Sequence, residues 1–191
     1  MDNISKHISY SEATTSATAI KNGIDNTPTA QHLSAMKNVA AKVFEPLRTY
    51  IGEPIRIASF YRTAKLNPLI PGASTTSQHM VGEAIDIERY ASSKYKNADL
   101  FAFIYQNLNF DQLIWEAGND KEPDWVHVSL KASGTQRKQA LQMYRVNGSS
   151  KYKEFSLWQS IKDTVKANKA GFGSALLFGA LAIGAWKFLK L

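Results

Sequence analysis

Cysteine is absent from this chain of 191 residues, so the fold holds no disulfide and any metal it binds has no thiolate ligand. Its absence leaves the redox compartment open. Met1 to Pro28 lacks the basic start and apolar core of a secretory signal; it is polar, rich in Ser, Thr and Asn, and reads as a partly ordered lead-in with no signal peptide. No internal repeat is evident. Acidic residues are outnumbered, 16 against 23 basic ones, giving a formal net charge of +7. That excess does not describe a nucleic-acid surface: from Asn147 onward there are seven lysines and two acids, which leaves only +2 for everything before. These lysines border an apolar segment, not an aromatic-rich groove, so no nucleic-acid partner is expected. A hydrophobic content of 44% is enough for one packed domain with an appendage.

Helical spacing of Leu33, Met36, Ala40, Val43, Phe44, Leu47 and Ile51 predicts an amphipathic helix over Thr29 to Tyr50, kinked near Pro46. Ile55 to Ser59 reads as a strand, and Pro68-Leu69-Ile70-Pro71-Gly72 as a loop. Glu83 to Glu88 alternates Ala84, Asp86 and Glu88 against Ile85 and Ile87, the period of a strand with one polar face. Phe101, Ile104, Tyr105 and Leu108 predict a short helix, followed by a strand over Gln112 to Glu116 and another carrying Trp125, His127 and Ser129 on one face. The pattern predicts a small α+β domain with helices packed on a mainly antiparallel sheet.

Two of these segments carry the chemistry. In Ser77-Gln78-His79-Met80-Val81-Gly82-Glu83-Ala84-Ile85-Asp86 and Asp124-Trp125-Val126-His127-Val128-Ser129, two imidazoles and a carboxylate make a set suited to one zinc ion with its fourth position open. His79, Asp86 and His127 are the candidate ligands, and Gly82 would let the chain turn between the first two. A carboxylate beside such an ion can take a proton from its water, which is hydrolase chemistry. Asp124, three residues before His127, is the candidate base. Glu116 competes with it, provided that the loop from Gly118 to Pro123 folds back toward the metal. His7 and His32 are assigned no role.

The spacing Ser-x-His-x-x-Gly-x-Ala-x-Asp, followed by an acid, two residues and a His, resembles the zinc peptidases that include D-alanyl-D-alanine carboxypeptidases and phage L-alanyl-D-glutamate endopeptidases, both acting on peptidoglycan stem peptides. The resemblance runs from about Ile8 to Arg145. It implies that family's fold, a peptidoglycan stem peptide as substrate, and a charge-stabilising role for Arg62, which ends Ser59-Phe60-Tyr61-Arg62 in the manner of the family's Ser-x-Tyr-Arg segment. A guanidinium suits that role because it stays charged and binds oxyanions. Ser77 is implied to line the substrate cleft, and Trp125 and Ser129 join it as substrate-binding candidates from His127's face. Asp at position 124, where carboxypeptidase members often have Glu, leans slightly toward the endopeptidases.

The remaining expectations concern the tail. With residues 1–146 as the zinc domain, Phe155, Trp158, Ile161 and Val165 among lysines make 147–169 a basic amphipathic segment suited to an anionic surface. Ala170 to Trp186 is uncharged and apolar all round, long enough at its lower limit for a transmembrane helix, and 187–191 is a short basic end. Small residues at Ala175, Gly179, Ala180 and Gly184 would permit an oligomer through that helix. The lysines before the helix place the zinc domain on the cytoplasmic or interior side of a host inner membrane or a virion membrane. Held away from the cell wall in this way, such a hydrolase fits a bacteriophage, acting in lysis or host penetration. The contrasting reading is a membrane or virion structural protein whose zinc domain binds cell wall without catalysis.

Overall fold

The computed structural model describes residues 3–155; the expected apolar helix at 170–186 and most of the segment before it lie outside those residues. Six strands form one sheet in the order β1-β2-β4-β3-β5-β6: β1 Ile55–Ser59, β2 Ala84–Arg89, β3 Gln112–Glu116, β4 Trp125–Ser129, β5 Gln139–Val146 and β6 Ser149–Glu154. Four of the pairings are antiparallel and the fifth, β3 with β5, is parallel. The fold is therefore α+β with a mixed sheet, in which one crossover departs from the expected antiparallel run.

Period-two alternation divides the sheet into two faces. Ile85 and Ile87 of β2, Val126 and Val128 of β4, and Leu113 of β3 are fully buried and face the helices. Each such side chain contributes about 1.5–3 kcal/mol by leaving water. The covering layer is a continuous helical rod, α3 Ala30–Val39, a π-helical turn Ala40–Phe44 and α4 Glu45–Ile51, together with α5 Asn97–Asn107. Thr29 caps the rod by accepting the amide of His32. Where a kink was expected near Pro46, the rod widens instead. Pro46 has no N–H to give the carbonyl four residues back and its ring would crowd that carbonyl; the π turn, closed by Glu45 N–H to Ala40 O, relieves both.

Two sequence expectations change here. Residues 3–28 are an integral part of the domain: Ser9 and Ser16 cap α1 Tyr10–Thr14 and α2 Ala17–Lys21, while Ile4, Ile8 and Ala13 are buried. Asn26 fixes this segment, donating to the carbonyls of Thr14 and Tyr61 and accepting the Thr63 amide. At the other end, the boundary expected at 146 falls inside a hairpin. Asn147 and Gly148 both have positive φ, as a two-residue turn matched to strand twist requires, and β6 occupies part of the segment read as an amphipathic helix. Phe155 packs on Phe101, Tyr105 and Trp115, so it closes the core of this domain. Among the described residues no helix is long and apolar enough to cross a membrane.

Candidate metal centre and cleft

The uncovered face of the sheet floors a cleft of about 1310 Å³. Asp86 and His127 are directly opposed on β2 and β4, which brings their side chains out on this face together. His79 arrives from another direction, on a 3-10 turn Gln78–Val81 that Gly82 ends with φ +76°. A Cβ at Gly82 would lie 2.4 Å from the carbonyl oxygen of His32, so glycine is needed both for its conformation and for the close approach to α3.

Three donor atoms converge. His127 Nδ1 lies 2.8 Å from Asp86 Oδ1, His79 Nε2 lies 3.2 Å from Asp86 Oδ2, and the two ring nitrogens are 3.3 Å apart. Ligands held about 2.0–2.1 Å from a tetrahedral ion stand about 3.3 Å from one another, so two of the three separations already match zinc and the shortest, a hydrogen bond between His127 and Asp86, would open by about 0.5 Å to admit the ion. The tautomer is also prepared: His79 Nδ1 donates to the Phe60 carbonyl at 2.6 Å, which leaves Nε2 as a lone pair facing the site. Burial pushes the His79 imidazole toward its neutral, metal-binding form, against the pull of Asp86. Burial alone would raise the Asp86 carboxyl; the two histidines outweigh it and hold the group well below the usual range, ionised and ready to ligate.

The last three residues of Ser59-Phe60-Tyr61-Arg62 serve this arrangement. Phe60 orients His79, the Tyr61 hydroxyl meets His32 Nδ1 at 2.9 Å, and the Arg62 amide donates to the His79 carbonyl. The Arg62 side chain lines the cleft, and its buried Nε has no hydrogen-bond partner among the described residues. A buried N–H of this kind calls for an acceptor, supplied by ordered water or by a ligand.

The other expected site residues divide. Ser77 and Trp125 line the cleft. Ser129 does not: it is fully buried, and its hydroxyl accepts the Gln112 amide and knits β3 to β4. Asp124 is exposed, does not line the cleft, and sits one residue before β4, where alternation with Trp125 and His127 turns it from the metal face. Its backbone is what the fold uses, its amide donating to Glu116 and its carbonyl accepting from Asn97. Glu116, the competing candidate, does line the cleft. It is the cross-strand partner of Trp125, diagonal to His127, and is only 8% exposed. Burial, with Asp86 adding to it, pushes its carboxyl up to about 7 against the opposing influence of His127 and two arginines. The loop after it does fold back, through Ala117 and Gly118 at positive φ, and a Cβ at Gly118 would strike the Glu122 carbonyl oxygen at 2.2 Å.

A model of the peptidase M15 family matches residues 6–129, which take in Arg62, the three donors and Glu116. The chain belongs to the peptidase M15 family. No curated protein matches it. Both strands of the β5–β6 hairpin lie beyond the matched residues of the M15 domain, yet Leu141, Met143 and Arg145 of β5 and Ser150 and Tyr152 of β6 line its cleft. Sequence reasoning missed these residues, although Asn147-Gly148 between alternating segments is a strong hairpin signal.

Proposed function

We propose that this M15 domain is a zinc-dependent hydrolase of a peptide bond in the peptidoglycan stem, with Glu116 in place of Asp124 as its base. The observation that supports it is the convergence of His79, Asp86 and His127 on one point in a cleft that also holds a buried carboxyl at the pKa useful for moving protons near neutral pH. A zinc ion held by those three residues would polarise the scissile carbonyl and make a water more acidic. Glu116 then takes a proton from the attacking water at its carboxylate and delivers it to the departing amine. Arg62 offers its Nε–H, which has no partner among the described residues, to negative charge growing on the carbonyl oxygen. Ser77 and Trp125 bound the space in which the peptide lies.

Incubation of purified muropeptides with the zinc-loaded protein, followed by mass analysis, tests this and identifies the bond cut. A new amine should form, fall by at least about 10³-fold in Glu116→Gln with zinc still bound, and fall less than about 10-fold in Asp124→Asn. Equal loss in Asp124→Asn would restore the base to position 124, and intact muropeptides with every preparation would leave a wall-binding domain. We further propose that 170–186 anchors the enzyme, of phage type, in a membrane; a soluble reporter fused to 156–191 should then partition with membranes.

A further inference from the structure

The wall contributed by β5 and β6 suggests what the cleft selects. Of the five charged side chains that line it, Asp86 is a metal donor, Glu116 is the base of the proposed reaction, and Arg137 is tied to Asp111 at 2.5 Å. Arg62 lies deep beside the donors. Arg145 is different: it projects from the cleft face of β5, in line with Leu141 and Met143, and has no ion-pair or hydrogen-bond partner among the described residues. Its charge reaches both Glu116 and Tyr152, which places it within electrostatic range of the reacting centre without pairing it to either.

We propose that Arg145 anchors a free carboxylate of the bound peptide, so that the cleft prefers acidic stem peptides over their amidated forms. The inference rests on the peptidase reading above and adds its substrate class. A planar guanidinium meets a carboxylate through two parallel hydrogen bonds, a geometry that a carboxamide with one acceptor fails to complete. The apolar side chains of Leu141 and Met143, which precede Arg145 on the same face of β5, suit the small methyl-bearing residues of such a peptide.

The test uses the zinc-loaded full chain and synthetic stem peptides in which each carboxylate is amidated in turn. The wild type should prefer one free carboxylate by about 10-fold in kcat/KM, with the difference carried by KM. Arg145→Gln should bring the ratio of KM values for the amidated and free-carboxylate peptides to about 1, and Arg145→Lys should recover part of the preference. A preference that survives in Arg145→Gln, or a loss shared by every peptide, overturns the anchor. Calorimetric binding of the same peptides to zinc-loaded Glu116→Gln separates the two readings. Discrimination without turnover anywhere keeps the anchor and sinks the peptidase; turnover with equal affinities for all peptides does the reverse.

Discussion

At the scale of single residues, the donor set was legible because each ligand type has a narrow chemical use and the two motifs fall in order along the chain. Our proposal of Glu116 over Asp124 as the base follows from a physical constraint visible in the same sequence. If Trp125, His127 and Ser129 share one face, strand alternation puts residue 124 on the other, whereas residue 116 sits two places along β3 from Ile114, the partner of His127. Glu116 also leaves a thermodynamic trace. Folded, it keeps its proton up to about pH 7, whereas the ordinary value is 4.5, so the folded state binds more protons between those limits. Stability is fully supported below 4.5 and declines as pH rises toward 7. In chelated protein, urea titrations across that window should show the wild type losing up to about 3 kcal/mol relative to Glu116→Gln. Parallel curves for the two proteins would mean that the carboxyl is not held in its neutral form. His79 acts in the opposite sense in both proteins, since burial depresses its imidazole, and the subtraction largely removes it.

Elements were legible wherever one period dominated. β1 and β3 run over the residues expected of them, and the rod from Ala30 to Ile51 follows its apolar stripe. The hairpin was not read because Tyr152 and Phe155, set among Lys151 and Lys153, continue at helical spacing into Trp158 and Ile161, and a period near 3.6 over a longer window masked a period of two over a shorter one. Ends of the chain that look like polar lead-ins are equally hard to place, since Ile4 and Ile8 are buried by residues far along the sequence. The 3-10 turn at Gly82 is a tight junction between the turn and α3. Gly82→Ala should cost about 2–4 kcal/mol in denaturant unfolding, because the new Cβ meets the His32 carbonyl oxygen at 2.4 Å and the φ of +76° is strained for any other residue. A cost below about 1 kcal/mol would show that α3 shifts freely.

At the scale of the whole domain, folding and metal capture are one equilibrium. Three donors from β2, β4 and the turn before β2 meet only when the sheet has formed, so an ion that binds the folded chain alone raises its stability as RT ln(1 + [L]/Kd). Zinc at 100 times its dissociation constant should add about 2.7 kcal/mol and raise the melting temperature, and a chelator should reverse it. His79→Ala should abolish the response; an unchanged rise in that variant would place the ion elsewhere. Holding the far strands in this assembly is Asp111, fully buried. Although burial pushes its carboxyl up, Arg137 and Lys131 hold it down to about 2, and its backbone carbonyl accepts the amide of Gln139 where β5 starts.

Strand β6 ends the sheet, and every one of its residues is exposed. Among the described residues that border has no further strand, and an edge of this kind would ordinarily invite stacking between copies. Lys151 and Lys153 stand on that border, and their like charges repel an identical strand approaching in register. The margin that walls the cleft thus also carries the charges that disfavour stacking between copies.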